Sequence, residues 1–318
     1  MKITDHIKKF AGVTQFTFEI LPPLKGQSIN SLYNVIDELM EFNPPFIDVT
    51  YHREEHHYKD AGNGLLEMKV IKKRPGTVGI CAAIQGKYKV DAIPHILCGG
   101  FSKEDTENFL IDLDFLEIDN VVALRGDALK NETYFKAIPD GHSYANELVG
   151  QIADLNKGIY LDEELQNSHA TDFCIGVSGY PEKHMEAPSM ESDIHFLKKK
   201  VAAGAEYVVT QMFFDNQKYF DFVKHVRAAG IDIPIIPGLK PLSTLKQLNM
   251  IPHRFHVDLP EALVKEVIKC KDNKAVKQVG IEWCITQSKE LKDAQVPFLH
   301  YYSMSKSDNI KAIGREVF

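Results

Sequence analysis

Short runs of apolar and β-branched residues recur along the chain, and longer amphipathic segments separate most of them. Short runs of this kind, bounded by turn-forming residues, are typical of β-strands. The pattern predicts strands at 15–21, 46–51, 93–98, 120–126, 174–180, 207–213, 233–239 and 298–303. In the first of them Phe16, Phe18 and Ile20 alternate with polar residues, so one face of that strand is expected to meet surrounding helices.

Apolar positions at helical spacing occupy the segments between most of the strands. They predict helices at 28–42, 103–116, 144–156, 190–203, 216–229 and 261–290, and a short amphipathic helix at the start of the chain. Strands that alternate with helices predict an α/β fold whose parallel sheet closes into a (β/α)8 TIM-type barrel. An open doubly wound sheet is the alternative, but the G-x-G-x-x-G loop typical of that fold follows none of the strands.

Two stretches depart from this alternation. Residues 76–91 are predicted to form an extra strand or hairpin, and residues 157–172 an insertion before the fifth barrel strand. No repeat, low-complexity linker or compositional break marks a second domain. We therefore expect a single domain over residues 1–318 with small insertions, because a barrel takes roughly 250 residues before insertions.

Charge and composition narrow the possible partners. The formal net charge is −7, whereas nucleic-acid binding favours a basic surface, so no nucleic-acid partner is expected. No apolar stretch approaches the roughly 20 residues that cross a bilayer, and the first residues lack the apolar core of a secretory signal. The five cysteines are scattered and form no C-x-x-C pair, so we expect buried, reduced thiols. These features predict a cytoplasmic protein without a membrane partner.

Polar residues stand at the ends of several predicted strands, where a barrel places its reactive groups. Glu19 lies on the polar face of the first strand, just before Pro22 and Pro23 end it. It is expected to point into the barrel near its mouth, where desolvation favours a protonated carboxyl group and suits a general acid. An exposed glutamate at the end of a strand is the alternative.

The fourth strand runs directly into Arg125, Gly126 and Asp127. A glycine lets the backbone approach a ligand closely, an arginine can clamp an anion, and an aspartate can accept hydrogen bonds from donor N–H groups. This tripeptide is weak evidence by itself, and an aspartate that caps a helix would account for Asp127 equally well.

Two further polar segments are candidates. The cluster His52, Glu54, Glu55, His56 and His57 does not have the spacing H-E-x-x-H, so a solvated loop is favoured over a metal site. In the helix predicted at 190–203, Asp193, Phe196 and Lys200 share one face, although a lysine-rich face is often simply solvated. Gln211 ends the next strand and can pair with the edge of an amide-like heterocycle.

Seven segments of the chain together resemble one enzyme family. They are FEILPP, DVTY, PHILC, VVALRGD, GYPEKHMEA, DIHFLKKKVAAGAEYVVTQMFFD and IIPGLKPLS, and their order matches that of methylenetetrahydrofolate reductases. The similarity extends over about residues 15–306. It implies an FAD-containing barrel that reduces 5,10-methylenetetrahydrofolate to 5-methyltetrahydrofolate with NADH or NADPH in a ping-pong mechanism, feeding methionine synthesis. The resemblance also implies a homo-oligomer.

The resemblance assigns roles to individual residues. Glu19 matches the general acid of the family, and Asp127 matches an aspartate near both flavin and pterin. The positions implied for FAD binding are Thr50, Tyr51, His95, Arg125, Gly126, Asp127, Tyr144, Ala145, Tyr180, His184, Ala187, Asp193, Lys199 and Lys200. The positions implied for folate binding are Glu19, Asp127, Gln211, Gln247, Tyr302 and Lys306.

The chain departs from the family pattern at two places. His52 and Arg53 follow Tyr51 where bacterial relatives often have Gly-Ala, and Lys306 replaces an arginine that contacts the folate tail. A lysine keeps the charge but loses the bidentate geometry. Two other classes of function are open at this point: another flavin barrel enzyme, such as a proline dehydrogenase-like oxidase, and a non-catalytic barrel that binds folate or flavin.

Overall fold

Parallel strands form a ring at the centre of the protein, as seen in a computed structural model that describes residues 1–129, 132–304 and 306–318. The strands are β1 (Gln15–Ile20), β2 (Phe46–Val49), β3 (Glu55–Gly62), β4 (Leu65–Ile71), β5 (Asp91–Leu97), β6 (Asn120–Leu124), β7 (Cys174–Gly179), β8 (Tyr207–Thr210), β9 (Ile235–Ile236), β10 (Gly238–Leu239) and β11 (Phe298–Tyr302). The larger sheet has the order β10-β11-β1-β2-β5-β6-β7-β8-β9. Because β9 and β10 are two parts of one strand interrupted at Pro237, the sheet closes into the predicted eight-stranded barrel.

Helices surround this ring. They are α1 (Ile3–Lys9), α2 (Asn30–Leu39), α3 (Val78–Tyr88), α4 (Lys103–Phe115), α5 (Ala145–Leu155), α6 (Met190–Ala203), α7 (Asn216–Ala228), α8 (Gln247–Phe255), α9 (Glu261–Ile268), α10 (Asn273–Asp293) and α11 (Asp308–Val317). The helix predicted over 261–290 is two helices, because the Asp272 side chain accepts a hydrogen bond from the backbone N–H of Ala275 and begins α10. The sequence-based prediction missed α8 and α11.

Two expectations about local structure were wrong. Residues 76–91 contain helix α3 instead of a strand or hairpin, and Ile80, Cys81 and Ile84 are its buried residues. The hairpin lies earlier, where β3 and β4 pair antiparallel, and β3 includes Glu55, His56 and His57 of the cluster predicted as a solvated loop. Asn63 and Gly64 form its turn with positive φ angles of 53° and 74°. An Asn-Gly pair favours such a turn, so this was the overlooked signal.

The side chains of the barrel strands face either the surrounding helices or the barrel interior. Phe16, Phe18 and Ile20 pack outward against the helices as predicted. Thr17 points inward beside His300 of the neighbouring strand β11, with 3.0 Å between Oγ1 and Nδ1. The N-terminal helix α1 packs onto the interior, because Ile3 is fully buried in one cluster with Phe46 and Phe298. The C-terminal ends of the strands lie at the other end of the barrel.

The cysteines of this chain all lie within the described ranges and form no disulfide bonds. All five cysteines are free, and Cys270 alone among them is not fully buried. None of the helices in the described ranges has both the length and the apolar character that crossing a membrane requires.

Candidate active site

A cavity of about 970 Å³ lies at the C-terminal ends of the barrel strands. Its volume is at the upper end of the usual range for small-molecule sites, which suits a large cofactor together with a substrate. The predicted site residues that line it are Glu19, Thr50, Tyr51, His95, Arg125, Gly126, Asp127, Tyr144, Ala145, Tyr180, His184, Ala187, Asp193, Lys200, Gln211, Gln247, Tyr302 and Lys306. The fold therefore brings residues from distant parts of the chain together at the C-terminal ends of the strands, as expected for a barrel.

Lys199 is the predicted site residue that does not line this cavity. Its side chain is exposed, and its Nζ lies 5.2 Å from the centre of the Phe196 ring. Consecutive residues of a helix point about 100° apart, so α6 can direct only one of the neighbouring lysines, Lys200, into the site.

Glu19 occupies the position expected of a reactive carboxyl group. Its side chain is 11% exposed, and its Oε1 accepts a 2.7 Å hydrogen bond from Thr50 Oγ1. Thr50 Oγ1 also lies 3.1 Å from the backbone oxygen of Ile20, which can share its single proton, so the end of β1 positions the threonine that holds Glu19. On the other oxygen, Oε2 lies 3.7 Å from His95 Nε2. The alternative of an exposed strand-end glutamate was wrong.

Buried polar groups also surround Glu19 inside the barrel, beginning with Asp48, its partner on the neighbouring strand β2, and the sequence-based reasoning missed them. Asp48 Oδ2 lies 3.4 Å from His95 Nε2 and 3.9 Å from His300 Nε2. Burial alone would lower the pKa of His95, but the hydrogen bond to Asp48 and the charges of Glu19 and Asp48 outweigh it and raise the pKa. Polar residues within the apolar strands FIDV and FLHYY were the signal that could have identified these groups.

The arginine that follows β6 is engaged by a carboxylate. Arg125 donates two hydrogen bonds to Glu186, of 2.6 and 2.7 Å, and its guanidinium carbon lies 5.1 Å from the centre of the Phe135 ring. The hydrogen bond to Glu186 raises the pKa of Arg125. Asp127 is exposed at the cavity and does not cap a helix, because the described residues that follow it, 128–129 and 132–144, are not helical and α5 begins only at Ala145. The helix-cap alternative for Asp127 was therefore wrong.

Arg53 has a feature that the sequence did not reveal. It lines the cavity, and its buried Nε and Nη1 have no hydrogen-bond partner among the described residues. Buried donors of a guanidinium group normally have a partner, so this part of the cavity is suited to an anionic ligand. The start of α5, with Tyr144 and Ala145, also lines the cavity, and the N–H groups at the start of a helix favour anions. Together these groups suit an anionic ligand such as a phosphate.

Helix α6 and the loop before it form another wall of the cavity. Asp193 Oδ2 accepts a 3.0 Å hydrogen bond from the backbone N–H of His184, and the His184 ring packs edge-on against Tyr180 at 4.7 Å. Lys200 donates a 2.7 Å hydrogen bond to the backbone oxygen of Ser178. Burial lowers the pKa of Lys200 to about 8. These contacts hold an aromatic ring and a cation side by side.

A further part of the cavity lining contains the residues matched to folate binding. Tyr302 donates a 2.5 Å hydrogen bond to the Thr210 backbone oxygen. The Gln247 amide oxygen accepts hydrogen bonds of 2.7 and 3.0 Å from the backbone N–H groups of Ser243 and Thr244. Gln247 therefore orders the turn before α8 through its oxygen, in addition to lining the cavity. Lys240, which the sequence reasoning did not single out, also lines the cavity and is 8% exposed.

No metal centre was found in the part of the chain that the structure describes, since no three His, Cys, Asp or Glu side chains gather suitably there. Glu55, His56 and His57 of the histidine-rich cluster begin β3. His57 Nε2 lies 3.5 Å from Glu55 Oε2, and Lys73 Nζ, just after β4, lies 2.7 Å from the same oxygen.

Comparison with known proteins gives consistent matches. The family model for methylenetetrahydrofolate reductase matches residues 2–317. Methylenetetrahydrofolate reductase 1 of Schizosaccharomyces pombe is 31% identical over 98% of this chain and 48% of the relative. The chain thus spans about half the length of the eukaryotic relatives that it matches. The 5,10-methylenetetrahydrofolate reductase of Salmonella typhimurium is 29% identical over 98% of this chain and 93% of the relative.

A solved structure supports the fold. It is an uncharacterized protein from Clostridium thermocellum, described as binding two copies of 5-methyl-5,6,7,8-tetrahydrofolic acid. It aligns with a TM-score of 0.59 at 14% identity and covers 99% of this chain and 98% of its own. At this identity the likeness concerns the barrel fold alone.

Proposed function

The chain belongs to the methylenetetrahydrofolate reductase family, and from this premise we propose that it reduces 5,10-methylenetetrahydrofolate to 5-methyltetrahydrofolate with NADH or NADPH. The observation that carries the proposal is the placement of Glu19. A carboxyl group with 11% of its side chain exposed is held by Thr50 at the wall of a cavity large enough for a cofactor and a folate. This is the position that a proton donor to a bound substrate needs.

The proposed cofactor is FAD, and the cavity offers groups of the kind that it requires. Arg53 and the start of α5 would hold the phosphates, whereas Thr50, Tyr51 and His95 line the part of the cavity beside Glu19. When bound, FAD would accept a hydride from the nicotinamide and, in a separate half-reaction, supply one to the methylene carbon of the folate. The role of the protein is to bind, orient and protonate.

The protonation step follows from the position of Glu19. Glu19 gives its proton to N10 of the folate as the five-membered ring opens, which leaves an iminium group at N5 ready to accept a hydride. Thr50 occupies one carboxyl oxygen, so the proposed proton is carried by the other, which lies 3.7 Å from His95 Nε2. Asp127 lies on the cavity wall and is proposed to accept hydrogen bonds from the pterin edge.

The folate is proposed to extend along the wall formed by Gln211, Gln247, Tyr302 and Lys306. Lys306 is exposed, so it would contact the carboxylates of the folate tail near the mouth. A lysine provides the charge for this contact without the two parallel hydrogen bonds of an arginine.

The test is an anaerobic visible spectrum of the purified protein during titration with NADH and then with methylenetetrahydrofolate. We expect a flavin band that bleaches with NADH and returns with the folate. A band that bleaches without returning would reject the folate and favour another flavin barrel enzyme, such as a proline dehydrogenase-like oxidase. A protein that neither contains nor takes up FAD would reject the cofactor.

Arg53→Met is expected to weaken FAD binding about 10- to 100-fold, because a hydrogen bond to a charged group contributes roughly 1.5–3 kcal/mol. Equilibrium dialysis of FAD against the two apoproteins measures this change. Arg315→Met is the matched control, since Arg315 is 61% exposed and pairs with Glu41 on the surface. Unchanged FAD affinity in Arg53→Met would remove Arg53 from the proposed phosphate site.

Three wider proposals rest on the family resemblance. The protein is proposed to be a cytoplasmic homo-oligomer whose product supplies methyl groups for methionine synthesis. Sedimentation of the flavin-loaded protein tests the oligomer, and a monomer at micromolar concentration would reject it. Methionine-independent growth of a deletion strain would reject the metabolic role.

A further inference from the structure

Lys240 belongs to a row of three side chains that crosses three neighbouring strands. In the register of the barrel, Leu239 is paired with Tyr301, and Tyr301 with Phe18. These three residues all pack outward. Because side chains of a strand alternate between faces, the next residue in each strand points inward, and Lys240 comes level with Tyr302 and Glu19.

The Lys240 ammonium group is held in an unusual environment. The side chain is 8% exposed and lines the same cavity as Glu19. Lysines are rarely this buried without a partner, and within the described ranges no hydrogen bond or ion pair joins Lys240 to another side chain. Burial is the largest influence and lowers the pKa of Lys240 to about 8; the Glu19 carboxylate raises it and Lys306 lowers it.

The other neighbours of Glu19 are less suited to exchanging a proton with it. Tyr302 stands between Lys240 and Glu19 in the row, but its hydroxyl group donates to the Thr210 backbone oxygen. Burial raises the pKa of Tyr302, so it keeps its proton. His95 is bound to Asp48, which favours retention of its proton, and Thr50 is a neutral donor. His300 lies deeper, against Asp48 and Thr17.

We propose that Lys240 returns a proton to Glu19 after each turnover of the folate. This inference rests on the proposed function. An N–H bond of the Lys240 ammonium breaks and an O–H bond forms on the Glu19 carboxylate, either directly or through one bridging water. The neutral amine then takes a proton from solvent at the cavity mouth.

Charge balance favours this route. An ammonium and a carboxylate together carry no net charge, and neither do an amine and a carboxylic acid. The transfer to Glu19 itself therefore adds no net charge to a buried site, where unpaired charges are costly, and the charge enters only when the amine takes its proton from solvent. The amine exchanges protons readily with solvent because its pKa of about 8 is close to neutral pH.

The first test measures Lys240 without requiring catalysis. The purified protein, with its flavin, is labelled with ¹³Cε-lysine and titrated by NMR, and Lys240→Met identifies the signal. Lys240 is expected to titrate near pH 8, at lower pH in Glu19→Gln and at higher pH in Lys306→Met. An unchanged Lys240 titration in Glu19→Gln would show that the two groups are not coupled and would overturn the proposal. This result does not depend on whether the protein reduces folate.

The second test follows turnover. In Lys240→Met at pH 8 we expect the first turnover of the pre-equilibrated protein to stay near the wild-type rate and the steady rate to fall by tenfold or more, within the usual range for acid–base groups. Lys240→Arg should show the same loss, because arginine keeps the charge but does not release its proton. Added ethylamine should restore the steady rate in Lys240→Ala. Lys246→Met, at an exposed lysine outside the cavity lining, is the control.

Two outcomes of this second test would overturn the proposal. Wild-type turnover in Lys240→Arg would make Lys240 a fixed charge rather than a proton donor. A higher KM for the folate with unchanged kcat in Lys240→Met would make it a substrate ligand alone. If the wild-type protein does not turn over the folate at all, the proposed function fails, whereas the coupling of Lys240 to Glu19 is still decided by the NMR titration.

Discussion

Replacing Glu19 with glutamine is expected to slow the proposed folate reduction by about 10² to 10⁴-fold, the usual contribution of a general acid. Glutamine keeps the shape of the side chain and can still accept the hydrogen bond from Thr50. It has no acidic proton to give to N10, so ring opening loses its proton donor. Reduction of the flavin by NADH requires no proton from Glu19 and should remain close to the wild-type rate.

The two half-reactions can be measured separately by stopped-flow spectroscopy of the flavin band. One mixing experiment follows bleaching by NADH, and the second follows recovery after methylenetetrahydrofolate is added to the bleached protein. Glu191→Gln is the matched control, because Glu191 is an exposed residue in the first turn of α6. Recovery at the wild-type rate in Glu19→Gln would remove Glu19 as the acid, and equal loss in both half-reactions would indicate a damaged cavity.

The barrel could be predicted from the sequence because each strand is marked by a pattern of apolar residues within a few neighbouring positions. Each barrel strand is a short apolar run between turn-forming residues, and the alternation around Phe16 and Phe18 already distinguishes the helix-facing side from the interior. The position of Glu19 at the mouth followed from the same alternation. The errors arose where a local pattern fits two structures: the run from 76 to 91 has no clear period, and its burial against the barrel selects a helix.

Contacts between distant segments could not be predicted in this way. Arg125 appeared free to bind an anion, but the fold brings Glu186 within 2.6 Å of it. Lys240 was overlooked because nothing near it in the sequence is acidic, and only the register of β10, β11 and β1 places it level with Glu19. Such pairings depend on closure of the ring, which joins the first strand to the last.

Gly280→Ala is expected to destabilise the protein by about 3 kcal/mol or more, at or above the upper end of the usual cost of overpacking. Gly280 lies inside α10, and a Cβ atom there would overlap the carbonyl oxygen of Leu242 and approach the Leu242 C and N atoms to 2.7 and 2.8 Å. These are backbone atoms, so no side-chain rotation can relieve the overlap. Either α10 must move outward or the segment around Leu242 must move towards the cavity.

Movement of the Leu242 segment towards the cavity would also disturb ligand binding, because Lys240 and the turn ordered by Gln247 flank Leu242. We therefore expect Gly280→Ala to unfold at a lower urea concentration and to bind folate more weakly. Gly150→Ala is the matched control: Gly150 also lies inside a helix, but a Cβ atom there would meet nothing within 4 Å. That variant should be more stable by about 0.5–1 kcal/mol, because alanine restricts the unfolded chain and favours a helix. Equal unfolding midpoints for the two variants would show that contact between α10 and Leu242 does not restrict the position of this cavity wall.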